Sequence, residues 1–140
     1  MYDNIVTVAG NLTTDPEMRV TSTGTAVVNF TVAQTPRIYD RFTGQWRDGE
    51  TLFLRCVVWR ETAEHMMESV VKGSRIIVVG RLRQRSFAVD EGERRTVLEL
   101  HADEVGVSLR YATAKVTKVT RGNSGEERQP GSTGDDEPPF

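Results

Sequence analysis

Hydrophobic and polar residues alternate along five stretches of the chain, and such alternation is typical of strands that bury one face. The predicted strands cover residues 5–10, 26–37, 50–59, 75–87 and 94–107. Residues 18–20 are predicted to form a hairpin-like pair with the second of these strands. Only one stretch has helical spacing, in which the recurring apolar residues are Ala63, Met66, Met67, Val70 and Val71. Gly73 is predicted to cap this helix, and residues 38–49 to form a long exposed loop.

The order of these elements is three strands, one helix and two strands. A helix inserted between the third and fourth strands of a small β domain matches the five-stranded OB-fold barrel. We therefore expect an all-β domain with one helix over residues 1–110. The exposed face and loops of such barrels bind oligonucleotides or oligosaccharides, and the fold alone does not choose between these ligands.

The third strand separates an apolar face from a face that mixes aromatic rings with arginine. Successive side chains point to opposite sides of a strand. The predicted core positions are Leu52, Leu54, Cys56 and Val58, and the outward positions are Thr51, Phe53, Arg55, Val57 and Trp59. Burial makes Cys56 a small hydrophobic residue rather than a nucleophile, since no base lies near it in the sequence.

The fourth strand repeats this division. Its inward positions are Ile76, Val78, Gly80 and Leu82, and its outward positions are Arg81, Arg83, Arg85 and Phe87. A single strand of this kind is also typical of a charged, solvated sheet edge, but two of them weaken that interpretation. Exposed rings among arginines offer stacking surfaces for bases and cations for phosphates, which is what sequence-tolerant binding of single strands requires.

Charge is distributed unevenly along the chain. The net charge of −2 at neutral pH divides into +2 for residues 1–121 and −4 for residues 122–140. The acidic total therefore does not argue against a nucleic-acid ligand, and the placement of the cations on the strands decides the matter.

Several classes of protein are disfavoured by what the sequence lacks. No apolar run approaches the roughly 20 residues that span a bilayer, and the first residues have no signal-peptide pattern, so we expect a soluble, cytoplasmic protein without a membrane partner. Cys56 is the single cysteine, and His65 and His101 have no metal-ligand spacing. Without a phosphate-binding loop or a nucleophile with a base, we expect no catalytic residues, no metal and no cofactor.

The last six residues combine three carboxylates, two prolines and an aromatic ring: Asp135, Asp136, Glu137, Pro138, Pro139 and Phe140. The prolines disfavour a helix or a central strand, and the ring with its neighbouring carboxylates suits a basic pocket with apolar walls. We interpret this segment as a partner-binding tip, although its composition is also typical of a solubilising tail. Residues 121–134 are predicted to form a disordered linker, and residues 111–120 are compatible with an extra strand.

Five motifs define a family resemblance: GNLTTDPEMR at residues 10–19, TPRIYDR at 35–41, KGS at 72–74, GRLRQRSF at 80–87 and DDEPPF at 135–140. With them the chain resembles bacterial single-stranded DNA-binding proteins, especially the actinobacterial type, over nearly its whole length. The resemblance implies a homotetramer of OB folds that wraps single-stranded DNA at the nucleoid. It also implies that the tip recruits replication, recombination and repair proteins, and that an extra strand at residues 108–116 clamps neighbouring subunits.

The resemblance also implies roles for individual residues. The base-stacking rings correspond to Phe53, Trp59 and Phe87, and the phosphate contacts to Arg19, Arg55, Lys72, Arg83 and Arg85, beside which the outward Arg81 also lies. Where the family often has a stacking tryptophan in the long loop, this sequence has Ile38, which leaves Tyr39 or Trp46 for that role. The principal alternative is an RNA-binding OB module of cold-shock type, because bases stack equally well in RNA; such a module would not explain the acidic tip.

Overall fold

A computed structural model describes residues 4–120 of the chain, and it contains eight strands and one helix over that range. The elements in chain order are β1 (Ile5–Leu12), β2 (Glu17–Val20), β3 (Ala26–Gln34), β4 (Arg37–Asp40), β5 (Gln45–Asp48), β6 (Leu52–Trp59), α1 (Arg60–Ser69), β7 (Arg75–Asp90) and β8 (Glu93–Val107). The prediction of an all-β domain with one helix between the third and fourth long strands is confirmed.

Five strands pair in a ring that forms the barrel. Strand β1 pairs with β7, β7 with β8 and β6 with β3 in antiparallel fashion, while β8 and β6 run parallel. Two residue pairs between β1 and β3, Asn11 with Ala33 and Leu12 with Val32, join the ends of the sheet. Strand β2 adds to the outer side of β3.

Two glycines permit close approach of strands around this ring. A side chain at Gly10 would collide with the backbone carbonyl oxygen of Ala33, and one at Gly80 with that of His101. Gly80 also lies at a register shift between β7 and β8, and such an irregularity bends a strand and increases its twist. A closed small barrel needs such bends, and glycine supplies them because it has no Cβ.

The barrel interior is filled by aliphatic side chains from every strand of the ring, and α1 covers one end. Fully buried members include Val28, Val32, Val58, Ile76, Val78 and Leu100, and the helix contributes Ala63 and Met66. Val70, at the helix end, is buried with them. The predicted helical stripe was wrong for Met67 and Val71, which are exposed.

The sequence predicted that Gly73 caps the helix, and this prediction was wrong. The helix ends at Ser69, and the Val70 N–H donates to the Met66 carbonyl. Gly73 instead has φ of 89° inside the next turn, which the Ser74 N–H closes by donating to the Val71 carbonyl. The left-handed backbone conformation accounts for a glycine here as a helix cap would have done, but the residue lies in the turn that follows the helix.

The predicted long loop over residues 38–49 is wrong, because β4 and β5 form a separate two-stranded hairpin there. The turn between them follows from local chemistry. Asp40 accepts a hydrogen bond from the Phe42 N–H through Oδ1, and the Gly44 N–H donates to the Asp40 carbonyl at 2.8 Å. Gly44 has φ of 72°, which favours glycine at this position.

Two positions in the third predicted strand depart from simple alternation. Leu52 was predicted to be inward but is exposed, because β6 meets β8 only at Arg55–Val57 and Leu52 lies beyond the ring. Val57 was predicted to be outward, and it does lie outside the core cluster, but its side chain is buried where Asn29 and His101 flank it on the neighbouring strands. Leu54 is half-buried against the core.

Beyond β8 the described chain has no further strand up to residue 120. The extra strand at residues 111–120 is therefore not formed within a single chain, and its pairing with a neighbouring subunit stays a prediction. The linker at residues 121–134 and the tip at residues 135–140 lie outside the described residues. Within residues 4–120, no helix is long and apolar enough to cross a membrane.

Candidate nucleic-acid interface

A groove of about 800 Å³ runs across the outer face of β2, β3, β6, β7 and β8. Its charged lining residues are Asp15, Glu17, Arg19, Arg55, Arg83, Arg85 and Glu99, and its other polar or aromatic residues include Thr14, Asn29, Thr31, Trp59, Gln84 and His101. Backbone pairing of the strands fixes this arrangement, because residues directly opposite each other project to the same face.

Five of the ten predicted DNA-binding residues line the groove together: Arg19, Arg55, Trp59, Arg83 and Arg85. They come from β2, β6 and β7, so the fold collects them from separate parts of the sequence. The other five, Tyr39, Phe53, Lys72, Arg81 and Phe87, are not among its lining residues. Each of these five has a different local explanation.

Trp59 provides the one aromatic surface of appreciable exposure in the groove lining. It is the last residue of β6 and lies opposite Val27 of β3. The side chain is 38% exposed, so one part of the indole packs on the protein and the rest faces solvent. Arg60 follows with φ of 62°, which turns the chain directly from strand into helix. The ring is thus fixed at the junction of two elements.

Phe53 and Phe87 extend the same face beyond the groove. Phe53 is 64% exposed and lies two residues before Arg55 on β6, which places both side chains on one face. Phe87 follows Arg85 on β7 with the same spacing, and the Arg85 guanidinium carbon lies 5.5 Å from the centroid of its ring. The two rings therefore continue the aromatic and basic surface beyond Arg55 and Arg85.

The β4–β5 hairpin carries a second aromatic group. Tyr39 and Trp46 are opposite each other in register, and their ring centroids lie 5.3 Å apart in an edge-to-face arrangement. Phe42, at the turn, is 99% exposed. The structure therefore places Tyr39 and Trp46, the two alternatives for the stacking position of the predicted loop, side by side at one location.

Arg81 and Lys72 are the two predicted phosphate-binding cations that do not line the groove. Arg81 Nη2 lies 3.0 Å from Asp103 Oδ1 on the adjacent strand. The Lys72 backbone N–H donates to Asp15 Oδ1 at 2.6 Å, which fixes the Lys72 backbone beside a groove residue. Arg81 is thus already paired within the protein, whereas Lys72 adjoins one end of the groove.

Glu99 and His101 are groove residues that the sequence-based prediction missed. Arg85 Nη2 lies 3.0 Å from Glu99 Oε2, and His101 Nε2 lies 3.5 Å from Glu99 Oε1. Burial alone would raise the pKa of Glu99, but the hydrogen bonds and charges of Arg85 and His101 outweigh it and hold the pKa below the usual range. Extending the alternation along β8 would have identified both residues, since they share the outward face with the arginines opposite them.

Among the residues that the structure describes, neither a reactive thiol nor a metal-binding cluster lies in or beneath the groove. Cys56 is buried beneath it, and burial raises the pKa of its thiol to about 12, so the reactive thiolate is scarce. Over residues 4–120, no cluster of three or more His, Cys, Asp or Glu side chains could hold a metal ion. The exposed surface of the groove combines an aromatic face with guanidinium groups.

Comparison with known proteins gives relatives over most of the chain. The model of the single-strand binding protein family matches residues 3–108. The single-stranded DNA-binding protein of Mycobacterium tuberculosis is 54% identical over 161 aligned residues, covering 99% of this chain and 98% of that protein. The protein of the same name from Mycobacterium leprae is 65% identical over 119 residues, covering 85% of this chain and 71% of that protein.

Solved structures give the same result for the fold. The small single-stranded DNA-binding protein from Streptomyces coelicolor matches with a TM-score of 0.66 at 33% identity, covering 78% of this chain and 97% of that one. The Plasmodium falciparum SSB complex with ssDNA has a TM-score of 0.69 and covers 77% of this chain and 97% of that one. Its sequence identity is 19%, so this second likeness concerns the fold alone.

Proposed function

Because the chain belongs to the single-strand binding protein family, we propose that it binds and protects single-stranded DNA without strong sequence preference. The observation that carries the proposal is the groove in which Trp59 lies together with four arginines. Stacking and phosphate contacts of this kind do not depend on base identity, because every base has an aromatic face and every nucleotide a phosphate.

Stacking and charge contribute separately to the proposed binding. Each base stacked on an aromatic side chain contributes about 1 to 3 kcal/mol, as judged by alanine substitution in other proteins. Trp59 supports stacking inside the groove, and Phe53 and Phe87 extend it along the same face. Arg19, Arg55 and Arg83 neutralise phosphates, and this part of the affinity falls as salt rises.

The hairpin rings form a second stacking site in this proposal. Tyr39 is 48% and Trp46 60% exposed, and neither belongs to the hydrophobic core. Three exposed arginines, Arg37, Arg41 and Arg47, accompany them on the same short segment. A strand that leaves the groove would meet rings and cations again at the hairpin.

The groove favours unpaired strands for a geometric reason. Duplex DNA stacks its bases on one another, so their faces are not available to Trp59 or Phe87. A protein that reads the duplex usually inserts a helix or a ribbon into the major groove. In the described structure the single helix α1 instead covers the end of the barrel with Ala63 and Met66.

We also infer that the protein acts as a homotetramer and that its acidic tip recruits replication, recombination and repair proteins. The tip is supported by its composition, since carboxylates next to Phe140 suit a basic pocket with apolar walls. Native mass measurement with and without a dT oligomer tests the tetramer, and pull-down of such proteins by a peptide of residues 135–140 tests the tip. A monomeric mass, or equal capture by a scrambled peptide, would count against the respective inference.

The decisive test of single-strand binding uses tryptophan fluorescence. The chain has two tryptophans, so a Trp46→Phe variant leaves Trp59 as the only reporter. Titration with poly(dT) should quench this reporter, because a stacked base lies against the indole. Parallel titrations with RNA and duplex DNA measure selectivity. Absence of quenching together with absence of binding by an independent labelled oligomer would refute the proposed function.

A further inference from the structure

Glu99 places a carboxylate in a groove for which we propose a polyanionic ligand. It lies on β8 between two arginines, because its register partners are Arg55 on β6 and Arg83 on β7. Both of its oxygens already have partners, Arg85 at 3.0 Å and His101 at 3.5 Å. The side chain of Glu99 is only 18% exposed, whereas that of Arg85 is 58% exposed.

The charge balance of the groove makes this carboxylate important. Its lining contains four arginines, Arg19, Arg55, Arg83 and Arg85, against three carboxylates, Asp15, Glu17 and Glu99, which leaves a net of +1 with histidine neutral. In so nearly neutral a groove, one carboxylate changes the local charge by as much as the entire net value. Of the three carboxylates, the structure gives an ion pair with a groove arginine for Glu99.

We propose that Glu99 competes with DNA phosphates for Arg85, so that it lowers the affinity of the groove and the number of counterions released on binding. The proposal rests on the proposed single-strand binding function. Both residues line the groove; Arg85 is the more exposed member of the ion pair, and Glu99 is the more buried one. A phosphate must therefore displace a carboxylate that is already in place in order to use the charge of Arg85.

A second ion pair on the same two strands offers a matched control. Arg81 and Asp103 are also 3.0 Å apart across β7 and β8, but neither lines the groove. Asp103→Asn and Glu99→Gln thus remove the same charge from the same kind of pair at two different places. If the effect is local to the groove, only Glu99→Gln should change the affinity for DNA and its salt dependence. If the effect comes from net charge alone, both variants should change them equally.

The test measures affinity for a short labelled dT oligomer between about 50 and 200 mM salt, where the logarithm of the affinity falls by about 0.7 per phosphate neutralised for each tenfold increase in salt. The work is done near pH 8, above the ordinary titration range of histidine. Glu99→Gln should bind several-fold more tightly at low salt, with a slope about 0.7 steeper per groove. Over that range it should therefore lose about 2.6-fold more affinity than the unmodified protein.

The double variant Glu99→Gln with Arg85→Gln carries the same net charge as the unmodified protein and should show the same slope, because the ion pair is internally neutral. Arg85→Gln alone leaves Glu99 in the groove without its arginine partner, so adding Glu99→Gln to it should restore affinity. Asp103→Asn should leave the slope unchanged. Thermal melting of each variant verifies that it is folded.

Three results would overturn the proposal: weaker binding by folded Glu99→Gln, a double variant whose slope is about 0.7 shallower, or an equal change of slope in Asp103→Asn. The first would make Glu99 a positioning residue for Arg85, and the second would show that Arg85 contacts phosphate while Glu99 is present. If Glu99→Gln proves unstable, rescue of Arg85→Gln by a second substitution, Glu99→Ala, decides the same point. Failure of the unmodified protein to bind any single strand would instead refute the proposed function.

Discussion

Replacing Trp59 by leucine separates the stacking role of the ring from its structural role. The side chain is 38% exposed, so most of it packs on the protein, and truncation to alanine would remove packing as well as stacking. Leucine keeps an apolar side chain at the junction of β6 and α1 but has no aromatic face. Phenylalanine, as the matched control, keeps an aromatic face of smaller area.

The expected loss of affinity in Trp59→Leu follows from the energy of one stacked base. About 1 to 3 kcal/mol corresponds to about a 5- to 140-fold weaker affinity, since about 1.4 kcal/mol is a factor of ten. Trp59→Phe should retain most of the affinity. Because no charge changes, the salt dependence of both variants should equal that of the unmodified protein.

The assay is fluorescence anisotropy of a labelled dT oligomer, which does not depend on the tryptophan signal. It is performed at low and high salt with each variant verified by thermal melting. A folded Trp59→Leu that binds as tightly as the unmodified protein would falsify the stacking role. A change in salt slope without loss of affinity at high salt would mean that the substitution disturbs the arginines instead.

Three further predictions concern the barrel and its ionisable groups. Because burial raises the pKa of Cys56 to about 12, a thiol-reactive chromophore at pH 8 should label it slowly in the folded protein and rapidly in denaturant. Gly80→Ala should lower the melting temperature, because the added Cβ would meet the His101 carbonyl oxygen, and an unchanged melting temperature would contradict that close approach. Since the folded pKa of Glu99 is lowered, its ion pairs stabilise the fold above the unfolded pKa and are lost as pH falls through the folded value; the melting temperatures of the unmodified protein and Glu99→Gln should therefore converge in acid.

The long strands could be predicted from the sequence because each has one buried face. Alternation correctly assigned Ile76 and Val78 to the core and Arg83 and Arg85 to the outer face. It failed at Leu52, where burial depends on where the strand leaves the barrel, and it did not show that the outward Val57 would be buried by the residues that flank it. Those conditions are set by pairing between distant segments, which no local pattern contains.

The groove could be predicted only in part for the same reason. Arg55 and Arg83 were identified as cations on separate strands, but the residue between them, Glu99, belongs to a third strand. That Glu99 lies beside Arg55 can be recognised only when the parallel pairing of β6 with β8 is known. The hairpin was not predicted, although Asp40 and Gly44, which form its turn, are residue types typical of turns.

The balance of rings and charges in the groove has a consequence for selectivity. A net charge of +1 from four arginines and three carboxylates attracts any nucleic acid only weakly, so most of the preference for single strands must come from stacking. Salt weakens phosphate contacts more steeply for duplex DNA, by about 0.9 per phosphate against about 0.7 for single strands, and the stacking contribution does not involve ion release. The ratio of single-strand to duplex affinity should therefore increase with salt in parallel anisotropy titrations. A ratio close to one at high salt, where phosphate contacts contribute least, would mean that the aromatic surface around Trp59 does not select the ligand.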